Sequence, residues 1–140
     1  MKPWVLYAII SMVFAGFTSV VAKMGLSGIT GELGLTVRTL FVLLFVLLFA
    51  VFTVPLNAFN TLTRENFFWL GVSGITTALS WIFYYKALKD GEVSTIAIID
   101  KGSMVVAVVL AFFILKEQIT PRVLLGASFM VTGLFIIARK

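Results

Sequence analysis

Five uninterrupted apolar runs, separated by short polar or glycine-containing segments, dominate the hydrophobic pattern of this chain. None alternates with a period of two, the pattern typical of strands in a membrane barrel. Each run has about 20 residues, enough for one helix to cross a hydrocarbon core of roughly 30 Å. The pattern therefore predicts an all-α polytopic membrane protein. We expect transmembrane helices at residues 4–22, 33–54, 67–88, 93–115 and 122–138, in a single domain over residues 1–140.

Local sequence patterns mark where several of these helices begin and end. Pro55 is expected to end the second helix, because proline cannot continue the backbone hydrogen bonding. Asp90-Gly91 predicts a turn before the fourth helix. Thr120 is predicted to cap the fifth helix and Pro121 to begin it.

Composition supports the membrane assignment. Of the 140 residues, 61% are hydrophobic and 12% are charged, and the mean hydropathy is +1.12. A soluble domain has roughly half apolar and a quarter charged residues. The excess of apolar residues is too large for a surface in contact with water, so we expect a multi-pass protein of the cell (inner or plasma) membrane, surrounded by the lipid bilayer.

The residue types present exclude several functions. The chain has no Cys and no His, which removes disulfides, thiol chemistry and the usual transition-metal ligands. We therefore expect no cofactor, no metal and no catalytic residues, since no nucleophile with a positioned base is recognisable. The formal net charge is +5, but Lys and Arg are scattered singly. They fit interfacial anchors better than a nucleic-acid surface.

Three ionisable residues lie well inside predicted helices: Arg38 in the second, and Asp100 and Lys101 in the fourth. Ionisable groups within a lipid-spanning helix cost several kcal/mol unless they face protein or water, so by default they mark function. Adjacent helical residues point about 100° apart. Asp100 and Lys101 are therefore not expected to neutralise one another, and each should find a partner elsewhere.

The depths of these charges predict a shared site. With five crossings the termini lie on opposite sides of the membrane, here named side A (N-terminal) and side B (C-terminal). Arg38 lies roughly 8 Å and Asp100 roughly 11 Å from side B at 1.5 Å per residue. This predicts one polar cluster open to side B, with Arg38 and Asp100 paired. The predicted solute- or ion-binding residues are Arg38, Asp100, Lys101, Ser103, Trp81, Tyr84 and Lys23. With Lys101 included the cluster is net positive and suits an anionic or zwitterionic solute.

The residues of this cluster are also compatible with purely structural roles. Arg38 and Lys23 can extend to the interface as snorkelling cations. Trp81 and Tyr84 can belong to an interfacial aromatic belt. A pair formed by Arg38 and Asp100 can serve only to hold two helices together.

Small residues at three- and four-residue steps predict close helix packing. The third helix carries Gly71 and Gly74, and the fifth carries Gly126 and Gly133. Small side chains let helix backbones approach closely within lipid. We expect these four glycines to lie at helix–helix contacts.

The basic residues do not choose an orientation in the membrane. Four lie near side A, namely Lys2, Arg64, Lys116 and Arg122, and five lie near side B, namely Lys23, Lys86, Lys89, Arg139 and Lys140. The positive-inside rule needs a clear asymmetry between the two sides. The chain is therefore expected to insert both ways or to depend on a partner.

Several short segments, taken in order, resemble a known family. They are residues 22–26, 37–39, 81–88, 99–103, 115–117 and 126–133, of which the fourth reads Ile-Asp-Lys-Gly-Ser. In this order and spacing they resemble a single EamA-like unit of the drug/metabolite transporter superfamily, over essentially the whole chain. The Ile-Asp-Lys-x-Ser segment is similar to a subgroup of short, single-unit members.

The resemblance implies a membrane transporter of small organic solutes, an exporter or exchanger. Most relatives look like two such units fused as inverted repeats, so one unit implies a homodimer, with an antiparallel arrangement and alternating access as the natural solution. Members resembling the small multidrug exporters use a Glu in the first helix, which this chain lacks. Asp100 is then the candidate for proton coupling. A non-transporting accessory or scaffold subunit, and a flippase for lipid-linked head groups, are the alternatives.

Overall fold

The computed structural model describes residues 3–138, and all regular structure within this range is helical. Its α-helices are α1 (Pro3–Gly25), α2 (Gly31–Thr53), α3 (Arg64–Asp90), α4 (Val93–Lys101), α5 (Ser103–Ile114) and α6 (Pro121–Ala138). A short 3₁₀-helix, Leu56–Thr61, lies in the polar segment between α2 and α3. The prediction of an all-α membrane protein is confirmed.

The apolar helices have the lengths that a bilayer requires. Among the described residues, α1, α2, α3 and the segment Val93–Ile114 are long and apolar enough to cross a membrane, and Pro121–Ile137 is a shorter apolar helix. At most 6% of the most apolar window of each long segment is buried within the chain. Since these surfaces are covered by no other part of the described chain, they need a lipid or protein environment.

Side-chain caps explain why α2 and α3 begin earlier than predicted. The Thr30 hydroxyl accepts a hydrogen bond from the Leu33 N–H at 3.2 Å. Before α3, the Asn66 N–H donates to Thr63 Oγ1 at 3.2 Å, and the Thr63 N–H donates to Asn66 Oδ1 at 3.0 Å. These bonds satisfy N–H groups that have no partner within the first turn of a helix. The apolar pattern starts only after these polar turns, so it places both helix starts too late.

The predicted fourth helix is interrupted at Gly102. The Gly102 N–H donates to the Ile99 carbonyl at 2.9 Å, a tight turn of the 3₁₀ kind. A Cβ at position 102 would lie 2.9 Å from that carbonyl oxygen and 3.0 Å from Leu134 Cδ1 of α6. Glycine therefore allows both the tight turn and the close approach of α6. The continuous helix expected over residues 93–115 is two helices, and the break follows Asp100-Lys101 directly.

The predicted start of the last helix is confirmed, and α5 ends in an unusual conformation. α6 begins at Pro121, and the Val123 N–H donates to Thr120 Oγ1 at 3.4 Å. Lys116 has a positive φ of 54°. The following N–H, of Glu117, donates to the Ala111 carbonyl at 3.2 Å. Helix C-termini usually place glycine in this left-handed position.

Two compact units divide the chain by their internal contacts. One is Val21–Asp90, which contains the end of α1, α2, the 3₁₀-helix and α3, with α2 packed against α3. The other joins the described parts of Met1–Val20 and Gly91–Lys140, in which α4 and α5 both pack against α6. A single domain over residues 1–140 stays a prediction.

The tightest packing lies in the unit Val21–Asp90, where the α1–α2 turn meets the last turns of α3. Leu26 and Tyr85 are each 3% exposed, and Leu88 is fully buried. A Cβ at Gly31 would lie 2.8 Å from the Tyr85 carbonyl oxygen. α2 therefore starts in direct contact with the α3 backbone, and this contact aligns the polar residues of the two helices.

Candidate functional site

Arg38 of α2 lies against two aromatic rings of α3. Its Cζ is 4.3 Å from the centroid of the Trp81 ring and 5.7 Å from that of Tyr85. Trp81 and Tyr85 are four residues apart, so they lie on the same face of α3. A guanidinium over an aromatic face is attracted to the ring quadrupole, by about 0.5–2 kcal/mol depending on how far it is desolvated. The arrangement holds a positive charge inside a membrane-spanning helix.

The Arg38 guanidinium has an unused donor. Its Nη1 is buried and has no hydrogen-bond partner among the described residues. A buried charged donor without a partner is unfavourable, and a native structure that retains one needs a reason to do so. The aromatic contacts stabilise the charge but do not satisfy the N–H groups. A ligand bearing a hydrogen-bond acceptor would satisfy them.

Tyr85 lies against Arg38 but is not among the predicted site residues. The predicted cluster includes its neighbour Tyr84 instead. Tyr85 is buried, whereas Tyr84 is half-buried and contacts the edge of the Tyr85 ring at 6.2 Å between centroids. The helical spacing from Trp81 admits both Tyr84 and Tyr85, because residues three and four apart lie on the same face of a helix. A binding role for Tyr84 stays a prediction.

Lys23 is engaged with the end of α3. Its Nζ donates to the Leu88 carbonyl at 2.6 Å and to the Lys89 carbonyl at 3.0 Å. In return, Lys89 Nζ donates to the Leu26 carbonyl, just after α1, at 3.2 Å. Each lysine thus binds carbonyls at the C-terminal end of the other helix, where unpaired acceptors and the helix dipole favour a cation. These contacts join α1 to α3, and a solute-binding role for Lys23 stays a prediction.

Asp100 and Lys101 do pair, and the expectation that they cannot is wrong. Lys101 Nζ lies 3.4 Å from Asp100 Oδ2. The four-carbon lysine side chain is long and flexible enough to reach across the angular offset of adjacent residues. The two side chains are 41% and 34% exposed, so the pair contributes little to stability. Ser103, the first residue of α5, is exposed and follows the break at Gly102.

The predicted cluster is distributed over the two compact units. Arg38, Lys23, Trp81 and Tyr84 belong to Val21–Asp90, and the Asp100–Ser103 segment belongs to the other unit. Within the first unit the structure brings together Arg38, Trp81 and Tyr85. Within the second it brings together Asp100 and Lys101. The pairing of Arg38 with Asp100 stays a prediction.

The close backbone approaches within the chain are at glycines other than the four expected. A Cβ added to any of the expected glycines would meet no atom within 4 Å, which holds for Gly71, Gly74, Gly126 and Gly133. The close approaches described above are at Gly31 and Gly102 instead. Small-residue spacing shows where a helix can be approached but not which helix approaches it. That the four glycines lie at helix–helix contacts stays a prediction.

A groove of about 530 Å³ lies between α2 and α3, here named the α2–α3 groove. Its lining includes Leu35, Thr36, Thr39 and Leu40 of α2 together with Ala78, Trp81 and Ile82 of α3. At its end, Glu32 Oε1 lies 3.5 Å from Lys86 Nζ. Glu32 falls in the turn before the predicted second helix and is not among the predicted site residues.

Metal coordination finds no support in the described part of the chain. No group of three or more His, Cys, Asp or Glu side chains there could hold a metal ion. The polar contacts described above consist of the Arg38 guanidinium on its two rings, two ion pairs and the lysine–carbonyl contacts.

Comparison with known proteins gives one family and one relative. A model of the EamA-like transporter family matches residues 2–139. A protein of Sinorhizobium sp, named an uncharacterized transporter in the cobO 3' region, is 28% identical over 137 residues, which cover 98% of this chain and 97% of that protein. No solved structure matches the chain. The match to the family model extends over all six helices.

Proposed function

The chain belongs to the EamA-like transporter family, and from this membership we propose that it carries small organic solutes with an anionic group across the cell membrane. Family and relative agree on a membrane transporter rather than an enzyme. We extend this to a homodimer that works by alternating access, in export or exchange.

The observation that carries the solute class is the buried, unpartnered Nη1 of Arg38. A carboxylate or phosphate group is the natural partner of a guanidinium, because it can accept two parallel hydrogen bonds. The Trp81 ring, beside the guanidinium, offers an apolar surface to the rest of the solute. We expect solutes that combine an anionic group with an apolar body, zwitterions included.

Two features support a dimer of inverted copies. The relative from Sinorhizobium sp, which is named a transporter, has nearly the same length as this chain, so the proposal need not assume a second fused unit. Inverted repeats place the solute site at their interface, and two copies related by a two-fold axis form a closed, self-complementary contact. The near-equal numbers of basic residues on sides A and B allow the same chain to insert both ways.

We further propose Asp100 as the residue that couples transport to protons. It lies beside the break at Gly102, and interrupted helices are where transporters place substrate and ion sites. Protonation would remove its attraction to Lys101, at 3.4 Å. The site would then gain one positive charge, and the freed lysine would favour one of the two access states.

Reconstitution of the purified chain tests the proposal. Proteoliposomes, empty or preloaded with solute, are exposed to a radiolabelled panel of small carboxylates, phosphate esters, zwitterions and cations, and solute uptake is recorded. We expect uptake of some of the anionic or zwitterionic solutes, loss of this uptake in Arg38→Gln, and partial retention in Arg38→Lys. The matched control is Arg64→Gln, at the start of α3, which should behave as the unaltered chain.

Two results would contradict the proposal. One is unchanged uptake in Arg38→Gln. The other is the absence of uptake for every solute in the panel, with or without preloaded solute, which would favour the accessory-subunit alternative, since an accessory subunit moves nothing on its own.

A further inference from the structure

The α2–α3 groove shares Trp81 with the Arg38 site, but Arg38 itself does not line it. Its volume of about 530 Å³ falls within the usual range of ligand sites. On its open side Leu40 is 62% exposed and Ile82 is 37% exposed. Since α2 and α3 are both long and apolar enough to cross a membrane, lipid can reach its open side.

The walls of the groove suit hydrocarbon better than a polar solute. They consist mainly of Leu, Ile, Ala and Trp side chains. The two hydroxyls in the wall are already used, because Thr36 Oγ1 donates to the Glu32 carbonyl at 2.9 Å and Thr39 Oγ1 donates to the Leu35 carbonyl at 2.8 Å. Below its charged end the groove therefore offers a polar ligand no free hydroxyl hydrogen, and burying unpaired polar groups there is unfavourable.

The charged end of the groove lies at the level of lipid head groups. Glu32 is the second residue of α2 and Lys86 lies near the end of α3, so both are close to side B. Their side chains are 61% and 55% exposed, so both charged groups remain accessible to a ligand beside their 3.5 Å contact. From residue 32 to residue 40 the groove descends about 12 Å at 1.5 Å per residue. That depth stays within one leaflet of a core about 30 Å thick.

We propose that the α2–α3 groove binds a phospholipid with a zwitterionic head group that ends in a primary ammonium. The lipid phosphate binds Lys86, the ammonium binds Glu32, and an acyl chain lies along Leu35, Leu40 and Trp81. A primary ammonium donates hydrogen bonds to a carboxylate, which a trimethylated choline cannot do. A phosphoglycerol head group has no cation for Glu32.

A second copy of the chain fits the groove less well. Helices associate closely in lipid where small residues line the contact. Here the walls carry Leu35, Leu40, Trp81 and Ile82, with Ala78 as the small residue among them. A flexible acyl chain can follow such an uneven surface, whereas a helix cannot.

Tryptophan fluorescence can report on the groove directly, because Trp81 lines it. The chain has three Trp residues. The variant Trp4→Phe/Trp69→Phe leaves Trp81 as the reporter, and Trp4→Phe/Trp81→Phe leaves Trp69, on the same helix but near side A. Both are reconstituted in phosphatidylcholine vesicles that contain a small mole fraction of a lipid with brominated acyl chains. Bromine quenches tryptophan fluorescence at contact distance.

We expect brominated phosphatidylethanolamine to quench Trp81 several-fold more strongly than brominated phosphatidylcholine or phosphatidylglycerol at the same mole fraction. Trp69 should show no such preference. Glu32→Gln should reduce quenching by phosphatidylethanolamine to the level of phosphatidylcholine, whereas Glu65→Gln, at the start of α3, should leave the preference intact.

Quenching of Trp81 in the protein that retains Glu32 and Lys86 is sufficient to test the proposal. Equal quenching of Trp81 by the three head groups would overturn the proposal, because lipid would then contact the groove without being recognised. Absence of quenching by all three would also overturn it and would indicate that protein covers the groove. A preference that survives Glu32→Gln would reject the assigned ammonium site.

Discussion

At the scale of single residues, the main question is whether the charge of Arg38 serves the stability of the fold or the binding of a ligand. Aromatic rings hold its guanidinium, and Nη1 has no partner among the described residues. A charge retained for stability would be paired, and removing it would destabilise the protein. A charge retained for a ligand lowers the free energy of unfolding of the ligand-free protein, so removing it should stabilise the fold.

Arg38→Met is therefore expected to stabilise the protein and abolish transport together. Methionine keeps much of the apolar length of arginine without its unpaired N–H groups, so the free energy of unfolding should rise by about 1 kcal/mol. Thermal unfolding in detergent measures this, with Arg64→Met as the exposed control. A lower melting midpoint for Arg38→Met would mean that the arginine is structural.

Asp100→Asn tests the proposed proton coupling. Asparagine is nearly isosteric and cannot change its charge, so the chain should insert and bind solute normally. Uphill solute accumulation in proteoliposomes under a pH gradient should be lost, while downhill exchange continues. Asp90→Asn, at the end of α3, is the control. Full gradient-driven accumulation in Asp100→Asn would remove the coupling role.

At the scale of helices, the end of α5 stores backbone strain at Lys116. A residue with a side chain costs roughly 1–2 kcal/mol in the left-handed conformation, and glycine avoids most of this. Lys116→Gly should therefore raise the free energy of unfolding by about 1 kcal/mol. Lys116→Ala removes the charge but keeps the strain and should not stabilise. Equal melting midpoints for the Gly and Ala variants would show that the strain is absent in solution.

The start of α2 depends on the absence of a side chain at Gly31. A Cβ there would lie 2.8 Å from a backbone oxygen of α3, which cannot rotate away as a side chain can. Gly31→Ala is expected to destabilise the protein by about 1–3 kcal/mol.

Gly71→Ala is the matched control, since a Cβ there meets nothing within 4 Å of the described chain. Its melting midpoint should be unchanged or slightly higher. If Gly71→Ala instead weakens self-association in detergent, the sequence-based prediction that Gly71 packs a helix is right for a second copy.

The hydrophobic pattern predicts the helices well but not the contacts among them. Run lengths and the Thr120-Pro121 pair place helices correctly because these features depend on neighbours in sequence. The apolar run over residues 93–115 does not show the break at Gly102, and the close approach of Leu134 to this position comes from a residue thirty-two positions away. The spacing from Trp81 places both Tyr84 and Tyr85 on its face of the helix. The contact of Tyr85 with Arg38 depends on the register of α2 against α3, which local patterns do not encode.

At the scale of the whole molecule, the proposed function requires that a second, inverted copy completes the carrier. A single five-helix unit supplies half of an inverted-repeat transporter. The nearly even distribution of Lys and Arg between the two sides permits both orientations, because a strong asymmetry would force all copies into one orientation.

Labelling of single cysteines measures this requirement directly. The chain has no native Cys, so Ser27→Cys, in the α1–α2 turn on side B, and Asn57→Cys, in the α2–α3 loop on side A, each create one thiol at an exposed position. Intact cells are treated with a membrane-impermeant maleimide, and labelling is compared with that after permeabilisation. We predict that roughly half of the chains react from outside in both variants. Complete labelling of one variant with none of the other would contradict the inverted dimer, because every copy would then face the same way.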